Sequence, residues 1–422
     1  MADRLTSHGS GAVAERRCAP VVSVIVVTYQ TPPEMLQQCL QSVVESDYRP
    51  LELVIVDNSP GPLVADGVAS WRSGLDPEAP PVVFLPQSRN RGYAGGTNRG
   101  ISASRGELLL MLNPDAVLSH DAISLLVDAA DRRGGAIGFA PKVLLTAHEW
   151  ILDSVGLDLH LRGYGAQRGL GEPDIGQYDS EERVAGLCFA AALIRRSAFS
   201  PQQVGLLDEH FFMFYEDVDW SMRAVMRGEA FWTVPAAEVR HVHSASTRHM
   251  HSGFKARLIQ RNLIWTAAKN LERRRVVKAL LAHSARALLR GGAWRHPWAA
   301  SRALMGAAGG LPWLVEARRG VQRGRSRSDE QVLSEPSQLA TFDANLYRPL
   351  PSSRMLVSVL ARRYVVAPDP ELGRLVQRLT LAAQTSMVMN STQLVEIVRE
   401  SDIDISPALE WLLKSLEGGV PP

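Results

Sequence analysis

Cysteine is scarce in this chain, and its spacing argues against a fold held by disulfides or zinc. The 422 residues contain three cysteines, Cys18, Cys39 and Cys188. No two of them have the close spacing of a zinc-binding pair. Cys39 falls in a helical pattern and Cys188 in an apolar run, so we predict reduced core thiols, as in a cytosolic protein.

Long apolar runs are also missing. No uninterrupted apolar stretch approaches the ~20 residues that cross a bilayer. The polar and charged residues up to Arg17 lack the apolar core of a signal peptide. We therefore expect residues 1–20 to be disordered. We expect the protein to be cytoplasmic, a location that includes peripheral association with the inner face of the cell membrane.

A third absence concerns the first βαβ unit. The β-branched run 21–27 predicts a strand ending in Thr28, Tyr29 and Gln30, and a helix follows from Pro33. A second strand, 51–56, ends in Asp57 and Asn58. The first turn has no G-x-G-x-x-G, so the backbone cannot approach a pyrophosphate there, which argues against a dinucleotide-dependent dehydrogenase.

The most informative stretch is an apolar run that ends abruptly in polar residues. The five residues from Leu108 to Leu112 are all large and apolar, so they cannot alternate between a buried and an exposed face. This predicts a strand covered on both faces, in a parallel sheet. Asn113, Pro114 and Asp115 then fall at its carboxyl end, where open α/β sheets bind ligands. Asp115 is thus placed to meet a ligand or a metal, although a turn that merely closes the strand is the alternative.

A glycine-rich stretch with arginines and asparagines follows the third predicted strand. Residues 89–100 read RNRGYAGGTNRG and include Asn90, Gly92 and Asn98. This composition suits a loop and helix start that hold an anionic ligand. A plain flexible turn is the alternative.

A helix with an acidic first turn begins near Glu216. Acidic residues there also complement the helix dipole, and Asp219 and Arg223 have the spacing of an ion pair. Aromatic residues crowd the segment before Glu216 and carboxylates flank Asp217. Desolvation and like-charge repulsion raise a carboxylate pKa, which suits Asp217 as a general base.

Two histidines follow a strand-like run near residue 240. His241 and His243 point to the same side of an extended segment, so either could reach a metal. A structural histidine is the alternative. With Asp115 already available, we predict a divalent ion, Mg²⁺ or Mn²⁺, held by Asp115 and His241 or His243.

The ordered motifs resemble one known family. They are VSVIVVTYQ, LVIVDNS, NRGYAGGTNRGI, LLLMLNPDAVL, LLDEHFFMFYEDVDWSMRA and HVHSAST, spread over residues 21–270. This pattern looks like a family 2 glycosyltransferase of the GT-A fold, an α/β Rossmann-like architecture, close to the branch of rhamnosyltransferases. The usual Asp-x-Asp metal motif reads Asn113-Pro114-Asp115 here.

The resemblance implies inverting transfer from a nucleotide-sugar, with Asp217 as base and Glu216 positioning the acceptor or ordering its loop. Residues matching Thr28, Tyr29 and Asp57 would hold the base and ribose, and Asn90, Gly92 and Asn98 would line the donor pocket. We predict that the donor site also includes Gln30, Asn58, Asn113 and Asp115. The acceptor would be lipid-linked or a glycan.

The charge is distributed unevenly. Residues 255–327 contain seventeen Lys or Arg but only Glu272 and Glu316 as acids, whereas the rest has 29 basic and 42 acidic residues. On a helical wheel the basic residues gather on one side, namely Arg275, Lys278, Arg286 and Arg290. The apolar residues gather on the opposite side, namely Val276, Val277, Leu280, Leu281 and Leu288. Three tryptophans follow, Trp294, Trp298 and Trp313. Such a segment suits an anionic membrane surface. A helix packed on the catalytic domain is the alternative, and nucleic-acid binding is disfavoured.

These patterns predict a GT-A catalytic domain over 21–255 and a basic amphipathic segment over 256–320. A linker over 321–353 and a small helical region over 354–422 would follow. The leading hypothesis is an enzyme that moves rhamnose or another hexose in cell-surface polysaccharide synthesis. The alternative is a catalytically silent GT-A scaffold that binds a nucleotide-sugar or a partner protein. A nucleotidylyltransferase would need a glycine-rich basic loop after strand one, which Thr28 to Pro33 lacks.

Overall fold

The computed structural model describes residues 19–242, 252–289, 297–335, 342–343, 348–349, 351–385 and 391–418. Strands and helices alternate through the first 242 residues: β1 (Val22–Thr28), α1 (Pro33–Val44), β2 (Leu51–Asp57), α2 (Leu63–Ser73), β3 (Val82–Pro86), α3 (Gly92–Ala103), β4 (Leu108–Leu112), β5 (Ala116–Leu118), α4 (Ala122–Arg132), β6 (Gly138–Leu145), β7 (His148–Ser154), β8 (Leu157–His160), β9 (Tyr164–Gln167), β10 (Arg183–Val184), β11 (Ala191–Arg195), α5 (Glu216–Met226) and β12 (Phe231–His241).

The remainder is mainly helical. Its elements are α6 (Ser252–Asn270), α7 (Arg273–Leu289), α8 (Pro297–Gly309), α9 (Leu311–Arg323), α10 (Asp329–Val332), the short strands β13 (Phe342–Asp343) and β14 (Arg348–Pro349), then α11 (Ser353–Val366), α12 (Pro370–Thr385), α13 (Ser391–Arg399) and α14 (Pro407–Leu416). None of the helices in the described part of the chain is both long and apolar enough to cross a membrane.

Among the described residues, ten strands form one mixed sheet in the order β10-β12-β6-β11-β4-β1-β2-β3, with β5 beside β12 and β7 beside β6. Strands β3, β2, β1 and β4 run parallel, and β11 runs antiparallel to both β4 and β6. Every residue of β4 is buried. The prediction of a central strand covered on both faces is therefore confirmed, but the sheet is mixed and not purely parallel, because β11 runs antiparallel beside β4.

Alternate residues of the central strands enter different cores. Val24 and Leu110 pack with α1, α2 and α4 on one face, whereas Ile25 and Leu109 pack with α3 and α5 on the other. Because parallel strands end at the same edge, β1, β2 and β4 deliver Thr28, Asp57 and Asn113 to one side of the sheet, and Thr28 lies opposite Asp57 in register.

The glycines of α3 have a packing role. A Cβ added at Gly96 or Gly100 would overlap the side chain of Val27 or Ile25 in β1. The helix can therefore lie close against the sheet only with glycine at these two positions. This packing role accounts for part of the glycine-rich pattern that predicts a ligand-binding loop.

The helices after the sheet domain pack on it in two groups. Helix α6 contacts α5, α7, α8 and α9. Helices α11 to α14 build a separate core that includes Leu145 and Ile151 of the sheet domain, and Arg362 pairs with Glu172 at 2.9 Å. The predicted helical nature of the carboxyl-terminal region is confirmed.

Part of the predicted linker is packed. The segment after α9 returns to the sheet domain, where the backbone N–H of Ser326 donates to the carbonyl of Met226 at 2.8 Å and Arg325 pairs with Asp329 at 2.9 Å. Residues 1–18 lie outside the described residues. The domain boundaries stay predictions.

The basic segment is only partly the surface that its wheel predicts. Arg275 pairs with Glu330 and Asp329, so its charge is neutralised, whereas Lys278 is exposed. The side chains of Arg286 and Arg290, and all of Trp294, lie outside the described residues. Val276 and Leu280 pack inward, but Val277 and Leu281 are 63% and 68% exposed.

Candidate active site

Strand pairing brings Asp115 and His241 together. Asp115 follows β4, and the next strand, β5, pairs with β12 so that Ala116 lies opposite His241. Nε2 of His241 is 3.2 Å from Oδ1 of Asp115, and both side chains are buried. Two residues that the sequence predicts to share a metal thus meet in the structure. His243 lies outside the described residues.

His241 is held from its other side by a carboxylate that sequence reasoning missed. Nδ1 donates to Oδ2 of Asp153 at 2.6 Å, and Gln167 donates to the second oxygen of Asp153 at 3.1 Å. Nε2 also lies 3.2 Å from Nδ2 of Asn113. Burial alone would lower the pKa of His241, but the charges of Asp115 and Asp153 outweigh it and raise the pKa to about 10.

This arrangement fits a divalent ion completed by substrate. Oδ1 of Asp115 is buried, and the only described side chain that approaches it is that of His241, at 3.2 Å and without the geometry of a full hydrogen bond. Asp153 orients the imidazole as carboxylates orient metal-binding histidines. The described residues contain no cluster of three or more protein ligands. Mg²⁺ often takes one or two carboxylates and fills its remaining positions with substrate phosphates and water, so two protein ligands suffice.

The predicted nucleotide-binding residues lie together where β1 and β2 end. Oγ1 of Thr28 donates to Thr31 at 2.9 Å, and Asp57 accepts from the backbone N–H of Ser59 at 2.8 Å. The backbone N–H of Gln30, at φ +51°, donates to the Ser59 hydroxyl at 2.7 Å. These contacts tie the two turns to each other. Tyr29 is half-buried in the same turn.

The asparagines predicted for the donor pocket are engaged within the protein. Asn58 donates to the carbonyl of Gly92 at 2.9 Å, and Asn90 accepts from the N–H of Gly92 at 2.7 Å. Asn98 donates to the carbonyl of Leu207 at 2.9 Å and accepts from the N–H of Leu207 at 3.0 Å. These side chains shape the start of α3, and their contact with a donor stays a prediction.

Gly92 meets the loop that precedes α5. It has φ +70°, and a Cβ at this position would overlap the carbonyl oxygen of Phe212. The same carbonyl accepts from the N–H of Ala94 at 3.2 Å. The predicted donor side and the loop before the predicted base are therefore in direct backbone contact.

That loop has an unusual backbone. Phe212, Phe214 and Tyr215 have φ of 67°, 66° and 71°, a region that costs non-glycine residues free energy and concentrates at functional sites. Asn262 of α6, which is fully buried, donates from Nδ2 to three carbonyls of the loop. The acceptors are Phe211 at 3.0 Å, Met213 at 2.9 Å and Phe214 at 2.7 Å.

Glu216 and Asp217 begin α5 directly after the loop and titrate differently. Burial and then the charge of Asp217 raise the pKa of Glu216 well above its usual value. Burial raises the pKa of Asp217 to about 6, and a hydrogen bond from the N–H of Val218 at 2.8 Å limits the rise. With a pKa of about 6, Asp217 is mainly ionised near neutral pH, and its charge favours the protonated form of Glu216. The predicted like-charge effect falls mainly on Glu216.

The predicted base, Asp217, and the predicted metal ligands flank one segment, residues 186–190. Burial raises the pKa of the Cys188 thiol, and the nearby charges of Asp217 and Asp153 raise it further. The N–H of Asn113 donates to the carbonyl of Ala190, and the Tyr93 hydroxyl donates to that of Phe189, each at 2.9 Å. Cys39 and Cys188 are free thiols, as predicted.

A buried ion network anchors α5. The predicted pair of Asp219 and Arg223 is present at 2.9 Å, and Lys269 of α6 also contacts Asp219 at 2.8 Å. Asn270 donates to the other oxygen of Asp219 at 2.9 Å. Lys269 and Asn262 were missed from the sequence. Each stands next to another polar residue, Asn270 and Arg261 respectively, so no local signal distinguishes them.

The family comparison agrees with this geometry. The family model "Glycosyl transferase family 2" matches residues 23–200. Over 255 residues the chain is 32% identical to the N-acetylglucosaminyl-diphospho-decaprenol L-rhamnosyltransferase of Mycobacterium tuberculosis, covering 54% of this chain and 78% of that protein. The chain belongs to the family 2 glycosyltransferases. The resemblance inferred from its six motifs is thereby confirmed.

Two further relatives extend the comparison. This glycosyltransferase is 27% identical over 217 residues to the low-salt glycan biosynthesis hexosyltransferase Agl10 of Haloferax volcanii, covering 48% of this chain and 61% of that protein. The crystal structure of GalNAc-T7 with UDP, GalNAc and Mn²⁺ matches with a TM-score of 0.51 at 15% identity, covering 71% of this chain and 56% of that one. This likeness shows the fold, which is GT-A as predicted.

Proposed function

We propose that this glycosyltransferase moves rhamnose or another hexose, with inversion, from a nucleotide-diphosphate donor to a lipid-linked or glycan acceptor in cell-surface polysaccharide synthesis. The observation that carries the proposal is the convergence around Cys188. Nε2 of Gln167 lies 3.8 Å from Sγ of Cys188 and 3.1 Å from Asp153, which holds His241, and the charge of Asp217 acts on the same thiol. Inverting transfer needs a base on the acceptor side and charge neutralisation on the leaving-group side, in one site.

Asp217 is the proposed base. Its pKa of about 6 leaves it ionised near neutral pH while keeping it basic enough to accept the proton of an attacking hydroxyl. Assistance of this kind is worth roughly 10²- to 10⁴-fold in rate. The raised pKa of Glu216 favours its protonated form, which can donate a hydrogen bond that positions the acceptor.

Asp115 and His241 are the proposed protein ligands of Mg²⁺ or Mn²⁺. Such an ion, when bound, would neutralise the negative charge that develops on a leaving diphosphate. Thr28, Tyr29 and Asp57 would hold the base and ribose where β1 and β2 end. Gln30, Asn58, Asn90, Gly92, Asn98 and Asn113 would complete the walls of the donor pocket.

A lipid-linked acceptor is favoured by two observations. The Mycobacterium relative is named for an acceptor of this type. In addition, large apolar side chains are exposed on consecutive helices, a group that we name the apolar patch: Val277 and Leu281 of α7, Trp298 and Met305 of α8, and Leu311 and Val315 of α9. We propose that it lies against the inner face of the cell membrane, and that the protein is otherwise cytoplasmic.

A screen of nucleotide-sugars tests this function. Purified protein with Mn²⁺ is incubated with UDP-, GDP- and dTDP-sugars, and donor hydrolysis and thermal protection are measured. A ligand present at 100 times its Kd adds ~2.7 kcal/mol to the free energy of unfolding. We expect one donor to protect the protein and to be hydrolysed slowly. Protection without hydrolysis or transfer to any acceptor would instead support the silent scaffold.

A further inference from the structure

The first half of α6 carries three cations, of which Lys255 and Arg261 contact the loop that leads to Asp217. Arg257 and Arg261 are one helical turn apart, and Nζ of Lys255 lies 5.7 Å from the ring centroid of Phe214 in that loop. Among the described residues no carboxylate lies within ion-pair distance of either guanidinium. Within the described part of the chain, these two half-buried arginines therefore lack the acidic partners that buried cations usually have.

The contrast with the end of the same helix is clear. Lys269 contacts Asp208 at 2.7 Å and Asp219 at 2.8 Å, so its charge is compensated. The segment 243–251, which directly precedes α6, contains no Asp or Glu that could compensate Arg257. Burial, together with the charge of Arg257, lowers the pKa of Arg261 to about 10. A bound anion would relieve this repulsion.

Arg261 is already fixed in place. Its Nη2 donates to the carbonyl of Phe211 at 3.0 Å, its Nε donates to Oδ1 of Asn262 at 2.9 Å, and its guanidinium lies 4.2 Å above the ring of Trp265. Nη1 has no acceptor among the described residues. A guanidinium that is held by its surroundings loses little freedom when it binds an anion, and planar arginines match phosphate oxygens well.

The position of this cluster suggests what kind of anion it takes. Arg261 lies between Phe211 of the loop and α8, where its Cδ is 3.4 Å from the point that a Cβ on Gly306 would occupy. The outer face of α8 exposes Trp298 and Met305 of the apolar patch, at 77% and 64%. The order of these features is the loop that leads to Asp217, then the cations of α6, then the apolar surface of α8. A ligand whose phosphate lies between a sugar and a hydrocarbon chain would place its sugar at the loop, its phosphate at the cations and its chain at the apolar surface.

We propose that Lys255, Arg257 and Arg261 form a phosphate-binding site for the acceptor, so that the acceptor is a sugar linked through phosphate or diphosphate to its carrier. The proposal rests on the proposed function for the identity of its ligand. Its three residues are different from those of the donor side, where Asp115 and His241 would hold an ion.

Pyrophosphate binding tests the site without a donor or an active enzyme. The full chain, kept in EDTA so that no divalent ion recruits pyrophosphate to Asp115, is titrated with sodium pyrophosphate in a calorimeter. We expect Arg257→Gln and Lys255→Gln each to weaken binding about tenfold, the loss expected when one charged hydrogen bond is removed. The control Arg72→Gln removes an exposed arginine of α2 and should bind like the parent.

Two outcomes would overturn the proposal. One is a parent protein that does not bind pyrophosphate, or an Arg257→Gln variant that binds it equally well. The other is an Arg257→Gln variant that keeps pyrophosphate affinity but loses binding to anionic vesicles, since the cations would then serve the membrane surface. Melting curves of all variants check that they fold. Failure of the donor screen would leave pyrophosphate binding measurable, so the two proposals fail separately.

An acceptor comparison completes the test. With a donor found by the screen, the KM of a soluble alkyl-diphospho-sugar is compared with that of the same sugar as an alkyl glycoside. We expect Arg257→Gln to raise the KM of the diphosphate acceptor about tenfold and to leave the KM of the alkyl glycoside unchanged. Equal effects on both acceptors would show that Arg257 does not contact phosphate.

Discussion

Asp153 and His241 are 88 residues apart in the chain, yet Oδ2 of Asp153 accepts a 2.6 Å hydrogen bond from Nδ1 of His241. This bond fixes the ring so that Nε2 faces Asp115. The orientation of the ring and the proton on Nδ1 are therefore already set for metal binding, and a cation bound at Asp115 would displace the second proton, on Nε2. This carboxylate lies in β7, too far from His241 in the sequence for a local pattern to reveal the pair.

Asp153→Asn should weaken metal binding without removing a metal ligand. Loss of such an outer partner typically costs 10- to 100-fold in metal affinity. The measurement is calorimetric titration of EDTA-treated protein with Mn²⁺, alone and with the nucleotide product of the donor. Asp66→Asn, which changes an exposed carboxylate of α2, is the control. Unchanged Mn²⁺ affinity in the Asp153 variant would remove His241 from the metal site.

Asp217→Asn should abolish transfer and leave donor affinity nearly intact. The base acts on the acceptor hydroxyl, so its loss lowers kcat by about 10²- to 10⁴-fold. Transfer assays and donor titrations on the same preparation separate the two quantities. Turnover above a few percent of the parent would show that another group accepts the proton.

The pH dependence of transfer should follow Asp217. Its pKa is raised from 3.8 to about 6, so the rate should fall as the pH drops through 6, because the base becomes protonated. The effect of Asp217 on the free energy of unfolding has the opposite pH dependence to its effect on the rate. A raised carboxylate pKa disfavours folding above pH 6, and the penalty disappears below about pH 4. Asp217→Asn should thus melt higher than the parent at pH 8 and equally at pH 3.5.

The sequence predicts the sheet and the family because both depend on local patterns. The apolar run of β4, the polar residues after β1 and β2, and the acidic start of α5 are each visible within a dozen residues. The partners of these groups are not visible in this way. Asp153 reaches His241, and Asn262 reaches the loop before Glu216, only because the fold joins distant segments.

The same reasoning explains where the pattern of charges misled. The wheel of α7 places Arg275 on a free basic face, but the chain returns after α9 and brings Asp329 and Glu330 to it. Likewise, Gly96 and Gly100 suggest a ligand loop, whereas the sheet requires them for close contact with α3. Composition alone could not distinguish these uses.

Asn262→Ala should reduce kcat by about 10- to 100-fold with little change in donor KM. The amide holds three carbonyls of a loop whose backbone is strained, and small displacements of a catalytic group cost rates of this size. The matched control is Asn270→Ala, which removes another buried amide of α6 that contacts Asp219 instead of the loop.

Both variants should melt at a lower temperature than the parent, because an unsatisfied buried group lowers the free energy of unfolding by ~1 to 3 kcal/mol. Only Asn262→Ala should lose rate when assayed well below its melting temperature. Asn262→Asp, which keeps the size but not the donors, should resemble Asn262→Ala. If Asn270→Ala lost as much rate as Asn262→Ala, the effect would reflect general stability and not the position of Asp217.

We expect the apolar patch, together with the exposed basic residues on the same helices, to bind anionic membranes. Each basic residue near an anionic leaflet contributes ~1 kcal/mol, and the attraction is screened within ~8 Å at physiological salt. Lys278, Arg302 and Arg319 are exposed on the helices that carry the patch. We expect the protein to sediment with anionic vesicles at low salt, to leave them at high salt, and to bind neutral vesicles poorly.

Two sets of variants separate charge from insertion. Replacing Lys278, Arg302 and Arg319 by Gln should remove most of the salt-sensitive binding. Replacing Leu281, Trp298 and Met305 by Ser should weaken binding at every salt concentration, because buried apolar area contributes ~25 cal/mol per Å² regardless of salt. Leu63→Ser is the control, since Leu63 is 61% exposed on α2, outside the patch. If both triple variants sediment like the parent, α7 to α9 serve only to support α6, and the acceptor need not be carried by a lipid.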